Sequence, residues 1–427
     1  MSAVEGWKTG RLGELCSIEI GGTPSRSNPD FWDASKDTSN HWVSIRDLNK
    51  TVITQTAEHI SDSGVKHSNV KLQNPGTVLL SFKLSIGRVA FAGVPLYTNE
   101  AIAGLNSNQI NTNYLFHGLH HWDLLQGVDQ AIKGATLNKE KLKKITFKYP
   151  GSLSEQTKIA EILSTVDRAI EQTEALIAKQ QRIKTGLMQD LLTRGIDEHG
   201  NLRSEQTHKF KDSPLGRIPV EWKATTLKAI GTWLSGGTPS KANPDFWNGS
   251  IPWVSPKDMK SFDIEDTTNR ITDQAVQFGT TLLPESAVLL VVRGMILDHA
   301  FPVCYTTRPM AFNQDVKAIL TTPSVVPRYL AYWLVATGYA ILRIVTTATH
   351  GTKRFDMNDL YNMDIALPEE TEQRRIVQSL DEFQSESLIA KVQAEKLRFL
   401  KTALMQDLLT GKKRVTTLLK DMEAETL

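Results

Sequence analysis

The chain reads as an α+β protein in which two globular domains are joined by two long antiparallel helices that pair as a coiled coil, in a pseudo-two-fold arrangement. Two repeated motifs and one periodicity point there. Gly21-Gly22-Thr23-Pro24-Ser25-Arg26-Ser27-Asn28-Pro29-Asp30-Phe31-Trp32 returns as Gly236-Gly237-Thr238-Pro239-Ser240-Lys241-Ala242-Asn243-Pro244-Asp245-Phe246-Trp247, a shift of 215 residues from position 21 to position 236. Lys184-Thr185-Gly186-Leu187-Met188-Gln189-Asp190-Leu191-Leu192-Thr193 returns as Lys401-Thr402-Ala403-Leu404-Met405-Gln406-Asp407-Leu408-Leu409-Thr410, a shift of 217 from position 184 to position 401. Unlike motifs repeating at almost one offset mark a duplicated unit of about half the chain, not a short solenoid repeat. The periodicity is a heptad. Apolar or small residues fall at Ile159, Leu163, Val166, Ile170, Thr173 and Ile177, and at Ile376, Leu380, Phe383, Ser387, Ala390 and Ala394. Steps of four and three alternate in both, which is the spacing of a coiled-coil seam.

Taken in order, residues 1–150 form the first globular domain, 151–195 a helical spacer, 196–215 a connector, 216–368 the second globular domain, 369–411 a second spacer and 412–427 a tail. The globular parts, from about Trp7 to Pro150 and from about Trp222 to Pro368, are rich in Gly, Pro, Asn and β-branched or aromatic runs. Val78-Leu79-Leu80-Ser81-Phe82 and Val288-Leu289-Leu290-Val291-Val292 read as buried strands. Gly21-Gly22-Thr23-Pro24 reads as a turn ending a strand. Tyr114 to Gln126 and Tyr329 to Ile344 read as helices late in each domain. Ser154 to Leu192 contains no Pro and one Gly, Gly186, and Ser154 followed by Glu155 is a plausible helix start. At about 1.5 Å per residue such a helix spans roughly 55–60 Å. The second helix must run back along the first to bury its own seam, with Leu397 and Leu404 continuing it. Ser213-Pro214-Leu215-Gly216-Arg217-Ile218-Pro219 reads as the connector between the two halves.

Composition sets bounds rather than a function. At 427 residues with 40% hydrophobic and 22% charged residues, the chain suits two or three ordinary globular domains. Cys16 and Cys304 do not match between the halves, so they read as indifferent thiols of a reducing compartment, not a metal or disulfide framework. Met1 to Lys8 lacks a signal-peptide apolar region. Tyr329 to Ile341, the most apolar stretch, is too short and interrupted to span a bilayer. A cytoplasmic location is expected. A net charge of +2 does not by itself point to nucleic acid, so any polyanion site must come from local clustering.

Motifs for catalysis are few. Asn28-Pro29-Asp30-Phe31 and Asn243-Pro244-Asp245-Phe246 look like the Asn-Pro-Pro-Phe/Tyr loop of adenine-N6 methyltransferases, but aspartate replaces the second proline in both. No G-x-G turn follows a strand to hold an adenosyl cofactor, and no phosphate-loop motif occurs. The loops are therefore expected to form structural turns. His117, His120 and His121 cluster without counterparts in the second half, which argues against zinc. Basic residues recur instead at matching places. Arg26 and Lys241 follow the GGTPS turns, beside Thr23, Ser25, Thr238 and Ser240. Arg46 and Lys257 follow Trp42-Val43-Ser44-Ile45 and Trp253-Val254-Ser255-Pro256, while Lys83 and Arg293 follow the buried strands. Arg88 lies near Lys83, and Lys353 and Arg354 follow Gly351 where the first half has Gly134-Ala135-Thr136. Asn99, Gln109 and Asn313 are weaker amide candidates. Positive and amide side chains at strand ends and turns suit phosphate contact and base-edge readout.

Across essentially its whole length the chain resembles the DNA-specificity (S) subunits of type I restriction–modification systems. The resemblance rests on the GGTPS-x-x-NPDFW and W-V-S-x-[RK]-D segments, and on Ser154-Glu155-Gln156 with Ile159 and Thr371-Glu372-Gln373 with Ile376. It rests further on the repeated Leu-Met-Gln-Asp-Leu-Leu-Thr and on Gly216-Arg217-Ile218-Pro219-x-x-Trp222. It implies that the globular parts are target recognition domains, each reading half of a split, asymmetric double-stranded DNA sequence. It implies that the helices set the gap and dock two modification subunits, which bring S-adenosylmethionine. Restriction subunits using ATP and magnesium would join, and this chain would carry no catalysis and no cofactor. Half-sites read from one DNA face lie about 34–36 Å apart, a separation that a rod of the expected length can hold. Residues 39–41 and the stretch after Asp258 correspond poorly between halves, which fits two different half-sites. The competing expectations are a self-contained methyltransferase using the NPDF loops and a helical adaptor that does not read DNA.

Overall fold

The computed structural model describes residues 4–83, 85–125, 137–348 and 350–419. They belong to two compact units, one made of Met1–Ala175 with Lys391–Leu427 and the other of Leu176–Ala390. Two long helices, Leu153–Thr193 and Glu370–Leu408, contribute to both. Each unit therefore contains a globular head, the start of one helix and the end of the other.

The heads repeat one strand plan. In the first, a five-stranded sheet runs in the order Ser17–Ile20, Ile102–Asn106, Val78–Ser81, Val89–Ala92, Val52–Ile53. The second has the order Gly231–Ser235, Val316–Thr321, Val288–Val291, Val303–Thr306, Asp263–Ile264. The wholly buried central strands, Val78–Ser81 and Val288–Val291, explain why these runs are apolar at every position, since neither face meets water. A four-stranded sheet accompanies each: Glu58–His59, His41–Val43, Leu96–Thr98, Leu72–Gln73 in the first head and Asn269–Ile271, Trp247–Val254, Met310–Phe312, Leu282–Leu283 in the second. A two-stranded ribbon closes each head, Trp7–Arg11 against Thr146–Pro150 and Lys223–Thr226 against Asp364–Leu367. The second head adds a hairpin, Val345–Thr347 with Lys353–Phe355.

The helix starts are built alike. Gln156 donates its amide to Pro150 O (2.9 Å) and accepts from Asn111 N–H (2.7 Å); Gln373 does the same with Pro368 O (2.9 Å) and Val326 N–H (2.8 Å). The preceding glutamates are buried against arginines, Glu155 with Arg414 (2.6 Å) and Glu372 with Arg203. Both helix ends enter the cores. Ile159, Leu163, Leu408 and Leu409 pack with Leu12, Val78 and Tyr114, while Met188, Leu191, Ile376 and Leu380 pack with Trp222, Val288 and Tyr329.

The seam is present. Ile159, Leu163, Ile376 and Leu380 are buried; Val166, Ile170, Ile177, Phe383, Leu397 and Leu404 are half-buried. Within the first unit Asp167 meets Lys401 (2.6 Å) and Glu174 meets Arg398 (2.5 Å), one index rising as the other falls. Within the second, Lys184 meets Gln384 (2.8 Å) and Glu372 receives Ile196 N–H (3.0 Å). The helices thus run antiparallel in each unit.

Four local expectations are corrected. The first long helix starts at Leu153, because the Ser152 hydroxyl, not Ser154, accepts from Glu155 N–H (3.4 Å). The head helices are Thr112–His121 and Pro327–Ile341; Asn111 caps the former, proline opens the latter, and Leu342–Ile344 tightens into a 3₁₀ turn. The central strands stop one residue early, at Ser81 and Val291. The connector folds as a hairpin, Phe210–Ser213 with Gly216–Pro219, turning at Pro214-Leu215 with Gly216 at φ +89°. Gln126 and Gly134-Ala135-Thr136 lie outside the described residues.

Candidate nucleic-acid interface

The twelve-residue repeat makes one self-locked loop in each unit. Its first glycine lies against backbone: a Cβ at Gly21 would stand 2.0 Å from Thr98 O, and one at Gly236 2.2 Å from Phe312 O. No side chain fits there. Asn28 and Asn243 cap the 3₁₀ turns Pro29–Phe31 and Pro244–Phe246, accepting from Asp30 and Asp245 N–H at 3.1 Å. Trp32 and Trp247 then donate their indole N–H to Ser25 O and Ser240 O, both at 3.1 Å. Trp42 and Trp253 donate to Gly22 O and Gly237 O, both at 3.0 Å. The asparagine side chains are thus committed to holding the loop, which accounts for NPDF as a scaffold.

A second loop is fixed by an aspartate. Asp47 accepts from Ser44 N–H (2.8 Å), Ser44 hydroxyl (2.6 Å) and Ala57 N–H (3.0 Å). Asp258 accepts from Ser255 N–H (3.0 Å), Ser255 hydroxyl (2.6 Å) and Thr268 N–H (3.0 Å). Burial alone would raise the Asp258 carboxyl, but these donors hold it below the usual carboxylate range. The loop thereby presents Arg46 and Lys257, both exposed.

A third loop, not anticipated, joins them. Asn99 N–H bonds Val43 O (3.0 Å) while its side chain accepts from Ala101 N–H (3.1 Å); Asn313 repeats this with Val254 O (2.9 Å) and Asp315 N–H (3.1 Å). These asparagines are turn formers. The residue carried on each turn, exposed Glu100 or Gln314, accepts the hydroxyl of Thr23 or of Thr238, the latter at 2.6 Å. Next to it the chain returns to the central strand, with Phe82 N–H on Ala101 O (3.0 Å) and Val292 N–H on Asp315 O (2.9 Å). Lys83 and Arg293 are therefore equivalent in space, each one residue beyond that bond.

The remaining basic residues differ between units. Arg26 lies over the Trp32 ring (3.6 Å to its centre) and is bonded to Glu58 (2.5 Å), which also takes Arg46 (2.9 Å). Arg26 is the main reason the Glu58 carboxyl sits low. Arg88 donates to Ile45 O (3.3 Å), and Ser25 bonds Ser27 (2.8 Å). In the second unit Ser240, Lys241 and Arg293 are exposed, and Arg354 bridges to Arg293 through the backbone. Lys353 is tied to Asp298 (3.1 Å). The main-chain N–H of Gln109 is held by the Ser107 hydroxyl (3.0 Å). Of the clustered histidines, His117 is bonded to Ser164 (2.9 Å) and His120 to Phe116 O (2.9 Å). Cys16 and Cys304 are buried, and burial pushes both thiols up to about 12. Among the described residues no group of three metal-ligating side chains comes together, and no helix is long and apolar enough to cross a membrane.

Comparison with known proteins assigns this doubled arrangement. Residues 4–180 and 219–397 each match the Type I restriction modification DNA specificity domain, and the chain belongs to that family. It is 37% identical over 196 residues to the EcoR124I/EcoR124II specificity subunit of Escherichia coli, covering 45% of this chain and 48% of that one. It is 24% identical over 352 residues to the MjaX specificity subunit of Methanocaldococcus jannaschii, covering 78% and 76%. The first of these matches thus spans about half of the relative's length. In fold it is similar to a crystallised S subunit from M. genitalium, with TM-score 0.58 at 13% identity over 94% of this chain and 96% of that one. A chain of another solved type I R-M system gives TM-score 0.57 at 18% identity, covering 96% and 99%.

Proposed function

We propose that this chain is the sequence-specific DNA-recognition subunit of a cytoplasmic type I restriction–modification complex. Each head reads one half of a two-part target in double-stranded DNA, and the helices set the gap between halves and dock two modification subunits. Methyl transfer from S-adenosylmethionine belongs to those partners, and ATP- and magnesium-dependent restriction to further subunits; this chain contributes no catalysis. One observation carries the reading: two units of identical strand order rebuild the same three-loop surface with different side chains, as two readers of different sequences require. The family membership supports it. So do exposed apolar side chains on the helices, Ile183, Leu388 and Ile389 in one unit and Val392, Phe399 and Leu400 in the other, which suit protein docking.

The test is exchange of a head. With the chain co-expressed with its modification subunit, single-molecule sequencing of modified genomic DNA should return a bipartite motif. Replacing residues 1–150 by the first head of another family member should change one half of that motif only. A change in both halves, or in neither, refutes the assignment of heads to half-sites.

A further inference from the structure

Glu100 and Gln314 occupy one geometric position in the two units, each exposed on an asparagine-closed turn and each accepting the hydroxyl of the GGTP threonine. Lys83 and Arg26 act on Glu100, while Arg293 follows the backbone bond that anchors the Gln314 turn, where the Asp315 carboxylate takes the Asn313 amide. An acid on a surface that must approach a polyanion is repelled, unless it accepts a hydrogen bond from a base. We propose that these side chains are equivalent base-edge readers, Glu100 accepting the amino group of a cytosine and Gln314 pairing with an adenine. The inference rests on the DNA-reading function proposed above and adds the base that each head takes at this point.

The chemistry separates the two. Partial burial raises the Glu100 carboxyl, but the Thr23 hydroxyl, its own main-chain N–H, Lys83 and Arg26 outweigh burial and keep it below the usual range, hence ionised. A carboxylate only accepts. In the major groove cytosine offers an amino donor with no acceptor beside it, whereas adenine sets N7 next to its amino group, and guanine and thymine present acceptors. The amide of Gln314 both accepts and donates, matching the amino group and N7 of adenine together. With the Thr238 hydroxyl donating to Oε1, the other lone pair of that oxygen serves the amino group and the NH₂ serves N7.

The experiment uses the full chain in complex with its modification subunit to select binding sites from a library randomised in both half-sites. E100Q should move the preferred base at one position of one half from cytosine to adenine, by about ten- to a hundredfold in preference, and leave the other half unchanged. Q314E should do the converse in the other half. Thr23→Val should weaken discrimination at the Glu100 position without changing the preferred base. Should one variant fail to fold, judged by loss of its thermal transition, the other decides. Parental selectivity retained by the folded variants overturns the proposal while leaving the head assignment intact. A parent complex that selects no two-part sequence refutes instead the function on which it rests.

Discussion

Gly21 shows how little freedom the reading loop has. With Thr98 O only 2.0 Å from where a Cβ would be, Gly21→Ala must push backbone against backbone. Overpacking of this kind costs about 1–3 kcal/mol, so the variant should melt several degrees below the parent by calorimetry and bind DNA more weakly. A tolerated alanine would mean that the loop relaxes. His117 gives the first unit a pH dependence. Burial depresses its pKa to about 4, against the opposing pull of Asp167. The unfolded chain, with an ordinary value near 6.5, binds the proton first, so stability falls as pH drops from about 6.5 towards 4, by at most about 1.4 kcal/mol per pH unit. His117→Gln should flatten that slope in urea melts between pH 7 and 5. The residues that the repeats exposed, Arg26, Lys241, Trp32 and Trp42, were legible because whole motifs recur. Glu100 and Gln314 were not, because only an asparagine is shared between Thr98-Asn99-Glu100 and Phe312-Asn313-Gln314. Nor was Glu58 legible: its bonds to Arg26 and Arg46 depend on strand pairing that brings distant residues side by side.

Among the elements, the long helices were the most readable, since a heptad needs no tertiary knowledge. What it could not show was how their ends are held. Glu372 accepts from Arg203, Ile196 N–H and the Trp222 indole in a site from which water is excluded, both ionic side chains being less than a tenth exposed. Removing one partner of such a pair strands the other, at a cost of about 3–5 kcal/mol. Glu155 is as deeply buried, but its partner Arg414 is more than a quarter exposed. Arg203→Ala should therefore lower the urea midpoint more than Arg414→Ala, and an equal loss from both would show that burial is not the deciding factor. The misplaced helix start has a similar cause. Ser152 and Ser154 are both capping residues by type, and only the path of the strand ending at Pro150 selects the earlier one.

The molecule as a whole is not two beads in sequence. The second unit is one continuous stretch, Leu176–Ala390, whereas the first is assembled from Met1–Ala175 and Lys391–Leu427. Its core takes Leu408, Leu409 and Val415 against Leu12 and Tyr114, and Arg414 reaches back to Glu155 and to Glu5 O. The duplication was plain from the motif offsets, but this interleaving was not, because offsets say what is repeated and not which copies complete one another. It carries a consequence for biosynthesis. The head translated first must wait, with part of its apolar interior uncovered, until the ribosome has delivered residues beyond 391, by which time the later head already has all its pieces. A chain truncated after Ala390 and released from the ribosome should yield a protease-resistant fragment from the younger half and only digested peptides from the older one.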